Sequence, residues 1–387
     1  MCAPMSIARK LSFFIGALIS CCAVIAPAAQ AAWTVAPGTI STTTSQGSGV
    51  SCTSTTNCIV VGSQATGGPT SLSSRWNGST FTKLVPSATT DELYGVSCTS
   101  ATQCVAVGAN YGGAIATPRA SVFNGSTWAS SIVPNPSGST RAELSGVSCP
   151  VSTTCYAAGW YGTASTTDVP LVDRWNGSSW TAQTLTLPGG TTAAQLSDIS
   201  CTTATTCTAV GYYDTVTQPR RTMALRWNGT AWSAQSPVHP ATAAQSELQG
   251  VACPAATTCL AVGSYIDATG IGHALAQTWA GGTWTQKTVP DPATSTEPAL
   301  SDVACYTSPS IGCNAVGGTG TETGIVPMAA AWNNTAWSLS TISKPTGTTE
   351  AALTGISCPT STCIATGAST FNGAGLTGLR ATLWLGP

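Results

Sequence analysis

Along most of the chain, short stretches alternate between apolar and polar residues, and clusters of Ser, Thr, Asn, Gly and Pro separate them. Alternation with a period of two, bounded by turn formers, reads as short β-strands rather than helices. In one representative segment, Leu144–Cys149 is a first strand and Pro150–Thr154 a turn. Cys155–Trp160 is a second strand, followed by a polar loop that ends at Pro170. Leu171–Trp175 is a third strand, Asn176-Gly177 a hairpin turn with positive φ expected at both positions, and Trp180–Leu185 a fourth strand.

The same pattern returns along the chain. Gly-Val-Ser-Cys, with variation, is followed by a second Cys and Ala-Val-Gly, and then by Trp-Asn-Gly-Ser/Thr-x-Trp. The first cysteines are Cys52, Cys98, Cys149, Cys201, Cys253, Cys305 and Cys358, separated by 46, 51, 52, 52, 52 and 53 residues. Four antiparallel strands in a repeat of this length make a propeller blade, so the expected fold is an all-β, seven-bladed β-propeller. The seventh copy stops at Leu383-Trp384-Leu385-Gly386-Pro387 without its second aromatic. Ala32-Trp33-Thr34-Val35-Ala36-Pro37 resembles the fourth strand of another copy, Trp232–Pro237. The N-terminal strand is therefore expected to complete the last blade and close the ring, which removes an open sheet edge.

Residues 1–31 read as a signal peptide. Arg9 and Lys10 precede the apolar run Leu11–Ile25, and Ala29-Gln30-Ala31 has the form of a cleavage site. That leaves residues 32–387 as the propeller and predicts an extracellular protein. Leu18-Ile19-Ser20-Cys21 also resembles a lipobox, so the alternative is a lipid anchor through Cys21. The apolar run is shorter than the ~20 residues a spanning helix needs, and no transmembrane segment is expected.

Charged residues make up only 7% of the chain, and the formal net charge is −1. Nucleic acid is excluded as a partner, because binding it would need a basic face. No sequence motif calls for a metal or cofactor, and a monomer is expected. Of the seventeen cysteines, fourteen remain beyond Cys2, Cys21 and Cys22. The expected bridges lie within blades: Cys52–Cys58, Cys98–Cys104, Cys149–Cys155, Cys201–Cys207, Cys253–Cys259, Cys305–Cys313 and Cys358–Cys363. Each would flank the first hairpin turn, where Cα atoms can sit ~5.5 Å apart. Repeated tryptophans read as packing between blades. Asn77, Asn124, Asn176 and Asn228 match the glycosylation pattern, but hairpin turns account for them.

The repeat, Gly-Val-Ser-Cys…Cys-x-Ala-Val-Gly…Trp-Asn-Gly-Thr-x-Trp, resembles that of secreted bacterial β-propeller proteins and covers nearly all of residues 32–387. More distantly it is similar to kelch-type and sialidase-type repeats. It lacks the kelch double glycine, with a single Gly at Gly108, Gly159 and Gly211, and it lacks the Asp-box. The resemblance implies the fold and leaves the activity open.

One face of such a propeller carries the long connections and the other the short repeated turns. A binding site is expected on the long-loop face. Just before the innermost strands stand Glu92, Glu143, Gln195 and Glu247, with Ala299 and Ala352 in later copies. Just after the second strands stand Tyr111, Trp160, Tyr161, Tyr212, Tyr213 and Tyr265. Aromatics for stacking and carboxylates for hydroxyls suit a glycan or a cell-surface protein, and the leading expectation is a non-enzymatic binding module. The alternative is a secreted glycoside hydrolase or polysaccharide lyase, with Glu92 and Glu143 as the least unsuitable acids. Neither His239 nor His273 lies in a recognisable catalytic phrase, and no catalytic residue is assigned.

Overall fold

The computed structural model describes residues 32–65, 69–84, 91–165, 167–293, 295–308, 310–373 and 376–386; the expected leader at 1–31, with Cys2, Cys21 and Cys22, lies outside them. The unit Ala31–Pro387 contains seven four-stranded antiparallel sheets and, among the described residues, no helix. The innermost strands are Ser45–Ser54, Asp91–Ser100, Ser139–Val151, Thr191–Thr203, Ala243–Ala255, Ala299–Tyr306 and Thr348–Ser357. They begin blades 1 to 7 in that order. Each inner strand packs against the next, and the seventh packs against the first, around an axial channel.

Blade 3 comprises Ser139–Val151, Thr154–Thr163, Asp168–Trp175 and Trp180–Ala182. Its two inner strands run further toward the long-loop face than their apolar cores suggest, and its outer strand is shorter. The extra length carries polar residues that alternation alone reads as loop.

The outer strand of blade 7 is Thr34–Val35, paired as Thr34↔Leu385 and Val35↔Trp384. Closure therefore occurs as expected, with one change of register. Trp384 pairs with Val35 and not with Trp33, while Trp33 bridges Ile342 of the preceding blade just as Trp232 bridges Leu185. Ile364 faces Leu385 and the Gly386 N–H donates to the Cys363 carbonyl, so Gly386, and not Trp384, stands where the other blades place the third-strand aromatic. Across the same junction, Cys52 N–H donates to Ser357 Oγ (3.0 Å) and Thr354 Oγ1 donates to the Gly47 carbonyl (2.7 Å).

Seven apolar clusters hold the blades together, and each joins the aromatics of one blade to the second strand of its predecessor, six of them to the third strand as well. Trp175 and Trp180, for example, pack on Val105 and Val107 of blade 2. The tryptophans are therefore packing residues, as expected. A serine relay adds polar register: the Oγ atoms of Ser51, Ser97, Ser148 and Ser200 each accept the cysteine N–H of the following blade at 3.0 Å.

All seven disulfides pair within blades as expected. Their Cα atoms lie only 4.0–4.1 Å apart, closer than expected, because the cysteines face each other directly across antiparallel strands, as in Cys52↔Cys58 and Cys201↔Cys207. The outer hairpins correct a second expectation. Positive φ falls on Gly78, Gly125, Gly177 and Gly229 (96–99°), and not on the preceding asparagines. Each asparagine instead accepts two turn N–H groups on its side-chain oxygen; Asn176 Oδ1 takes those of Ser178 (3.0 Å) and Ser179 (2.9 Å).

Candidate functional site

Every inner strand carries a β-bulge at the same level, between Leu144 and Gly146 in blade 3 and at the corresponding place in the others. Bulges re-aim side chains. Here the extra residues (Ser48, Tyr94, Ser145, Ser197, Gln249, Ser301 and Thr354) all line a channel cavity of about 230 Å³. The single glycine of each second strand follows from this bulge. A Cβ on Gly211 would run into the Gln195 carbonyl oxygen, and one on Gly159 into that of Glu143.

Above the cavity, on the long-loop face, a polar belt crosses blades 2 to 5. The Tyr94 hydroxyl lies 3.2 Å from Glu92 Oε2 and 2.7 Å from the Tyr111 hydroxyl. Tyr111 in turn donates to Glu143 Oε2 (3.2 Å), which also takes a bond from the Trp160 indole. The Arg141 guanidinium stacks over Trp160 at 4.3 Å and reaches Asp168, and Gln195 Nε2 donates to the same carboxylate at 2.7 Å. Arg220 then stacks over Tyr212 at 4.4 Å and pairs with Glu247 Oε2 at 2.7 Å. Glu247 Oε1 accepts from Gln249 at the cavity wall.

Electrostatics at the belt follow burial. Desolvation raises the Glu143 carboxyl above the usual carboxylate range against the opposing bonds from Tyr111 and Trp160. Burial also pushes the Tyr94 hydroxyl far above its ordinary value. Arg220 holds a left-handed backbone with φ 36°, and its N–H is bound to Asp214 Oδ1. Strain of this kind costs about 1–3 kcal/mol and clusters at sites that need a fixed side chain.

The structure thus brings Glu92, Glu143, Gln195, Glu247, Tyr111, Trp160 and Tyr212 into one belt. It places Tyr161, Tyr213 and Tyr265 on the opposite face of the pleat, against the aromatic clusters of blades 3, 4 and 5. Tyr265 also stacks on His273 at 4.8 Å, whose ring lies between Asp291 (3.0 Å) and Asp267 (3.4 Å). His239 is tied to Ser246 and the Ala243 carbonyl. Among the described residues no group of three or more His, Cys, Asp or Glu could hold a metal.

Sequence reasoning missed two carboxylates in the cavity wall. Asp198 and Asp302 replace the glycine of Gly-Val-Ser-Cys in blades 4 and 6. Asp198 Oδ2 accepts from Val251 N–H and Asp302 Oδ2 from Ile356 N–H, both at 2.9 Å. Enclosure raises Asp198 to about 7 and moves Asp302 well above the carboxylate range, with the Asp198 charge adding to the effect. Glycines at 146 and 250 leave the room these carboxylates fill. The signal was legible as a departure from the repeat. Tyr94 carried the same kind of signal, standing where four other blades have Ser48, Ser145, Ser197 and Ser301, whereas Arg220 lies in a variable connection and had none.

Comparison with protein-family models and with curated proteins finds no match. Solved structures with a similar fold include Chaetomium thermophilum Sqt1 bound to the N-terminus of the ribosomal protein L10, at 11% identity and TM-score 0.50, covering 89% of this chain and 90% of that one. Trypanosoma rangeli sialidase in complex with the inhibitor DANA is 8% identical, TM-score 0.49, over 80% of this chain and 56% of that one. SapL1 lectin in complex with alpha methyl fucoside is 12% identical, TM-score 0.45, over 81% and 97%. At these identities the likeness is one of fold.

Proposed function

We propose that this protein is an extracellular binding module that takes a polyhydroxylated ligand, a glycan, at the channel mouth of blades 2 to 5. The observation that carries the reading is the belt itself. Rings and hydroxyl-binding groups converge there over a polar cavity, whereas blades 6 and 7 offer only Ala299, Gly318, Ala352 and Ala368 at the same level. Sugar faces stack on rings, and carboxylates and amides take hydroxyls. An extracellular setting is supported by the leader-like residues 1–31 and by fourteen cysteines all engaged in bridges, which suits an oxidising compartment. Among the described residues no helix is long and apolar enough to cross a membrane.

The test is a glycan array on the chain from Ala32, repeated with Trp160→Ala and Glu143→Gln. Each variant should weaken binding about tenfold or more, ~1.4 kcal/mol. Absence of any glycan ligand, or binding indifferent to both changes, rejects the reading. The raised carboxyl of Glu143, linked to Glu92 through two tyrosine hydroxyls, favours a second reading as a glycoside hydrolase or lyase. Turnover of a polysaccharide, abolished by Glu92→Gln or Glu143→Gln, would replace the first reading with the second.

A further inference from the structure

On the short-turn face, two side chains in each of blades 1 to 4 stand at the junction with the next blade. One follows the second cysteine, and the other precedes the third-strand aromatic. In blade 1 they are Ile59 and Arg75, in blade 2 Val105 and Val122, in blade 3 Tyr156 and Arg174, and in blade 4 Thr208 and Arg226.

Three of these four junctions are plugged by a donor from the chain itself. Arg75 Nη2 donates to the carbonyls of Ala101 (3.1 Å) and Gly125 (3.3 Å), and its guanidinium lies over the Phe123 ring at 5.3 Å. The Tyr156 hydroxyl donates to the Ala204 carbonyl at 2.8 Å beside Trp227. Arg226 stacks over Trp279 at 3.8 Å, donates to Thr208 Oγ1 at 2.9 Å, and reaches the Ala256 carbonyl. Ala101, Ala204 and Ala256 occupy the same turn position in blades 2, 4 and 5, and in blade 3 that position is Ser152.

At the junction of blades 2 and 3, Val105 and Val122 have nothing to donate, and a cleft of about 260 Å³ stands open. Val122, Asn124, Ser152 and the Cys149–Cys155 bridge are among its walls. By the alignment of the repeats the accepting half is retained, with Ser152, which lines the cleft, at the carbonyl position and Trp175 at the ring position. The donating half is missing. Pockets for whole small molecules begin at roughly 300 Å³, so this volume suits one side chain. A planar guanidinium can stack on a ring and direct N–H groups at a carbonyl together.

We infer that this cleft is a binding site for a guanidinium group, the arginine side chain of a partner polypeptide. It is separate from the channel mouth, because it opens on the opposite face.

The experiment titrates the isotope-labelled chain from Ala32 with the capped peptide acetyl-Ala-Arg-Ala-amide, followed by NMR. Lys, citrulline and Tyr versions of the peptide, and free arginine, serve as comparisons. The Arg peptide should shift resonances of Val105, Val122 and the Cys149–Cys155 hairpin in a saturable way. The Lys peptide should bind several-fold more weakly, and citrulline should leave the spectrum unchanged. Val122→Arg supplies the chain's own plug, as Arg75 does in blade 1, and should abolish the titration while glycan binding at the mouth persists. Val122→Leu, a smaller filling, should weaken it. The inference is overturned if the Arg peptide shifts nothing, if Tyr binds and Arg does not, if only free arginine binds, or if a folded Val122→Arg protein titrates unchanged.

Discussion

Asp173 is fully buried in the third strand of blade 3, and neither carboxylate oxygen has a hydrogen-bond partner. Other blades place Ser74, Ser121, Leu225 or Gln277 there, and Gln277 bonds both the N–H and the carbonyl of Val238. Burial raises Asp173 to about 7. The folded state therefore holds a proton that the unfolded chain, with an Asp pKa near ~3.9, releases earlier. A pKa raised by folding gives stability that is complete below about pH 4 and is lost as pH rises through about 7. Asp173→Ser, which copies blades 1 and 2, should stabilise the protein at pH 7 by about 2–4 kcal/mol and change little at pH 4. Urea unfolding at pH 4, 5.5 and 7 checks this; parallel curves for both proteins would show that Asp173 does not titrate as described. Residues of this kind were invisible in the sequence because Asp173 looks like any polar member of an alternating strand, and only its neighbours make it costly. Glu92, Glu143, Gln195 and Glu247 were legible for the opposite reason, since the repeat fixes where each stands relative to its strand.

At the level of single elements, the strands, the disulfides and the hairpin positions were readable because alternation and cysteine spacing encode them directly. The bulges were not readable. An inserted residue leaves the apolar pattern on both sides intact, and its trace is the second-strand glycine, which resembled a family feature rather than a steric demand. That glycine carries the next prediction. In Gly211 the backbone is in ordinary strand conformation, yet a methyl group would strike the Gln195 carbonyl and lie 2.9 Å from the Leu196 Cα. Gly189, in the connection leading into blade 4, has nothing within 4 Å of the same added atom. Gly211→Ala should cost about 3 kcal/mol or more, since overpacking against backbone cannot be relieved by a rotamer change. Gly189→Ala should be neutral or slightly stabilising. Thermal melts of the two variants settle the matter, and equal melting temperatures would remove the bulge as the reason for the glycine. The Asn-Gly turns show the limit of dipeptide rules. Asn176-Gly177 marked the hairpin correctly, but the asparagine serves as an acceptor and leaves the positive φ to its neighbour.

For the whole molecule the decisive contact is closure of the ring. Most propeller junctions join consecutive stretches of chain, but the sheet of blade 7 is finished by Thr34–Val35, from the other end. Trp33 is fully buried beside Trp384 and ties both to the preceding blade, its N–H donating to the Thr341 carbonyl at 2.9 Å and its carbonyl accepting from Ser343 at 3.3 Å. Removal of residues 32–36 would leave Leu376–Leu385 as an unpaired edge and uncover the apolar cluster beneath it, two conditions that promote pairing between copies. Trp33→Ala keeps the strand and removes only the ring, at a cost of about 3–5 kcal/mol. The truncated chain should melt well below both the full chain from Ala32 and Trp33→Ala, and it should associate with itself as concentration rises. A synthetic peptide spanning residues 32–37, added in trans, should recover part of the lost stability, because the sheet supplies both hydrogen-bonding edge and tryptophan pocket. Differential scanning calorimetry with light scattering reads all of these. The glycan belt of blades 2 to 5 depends on the spacing of inner strands around the channel, so the truncated chain should also lose glycan binding even though no belt residue is deleted. If it melted like the full chain and still bound, closure would contribute neither to stability nor to the geometry of the mouth.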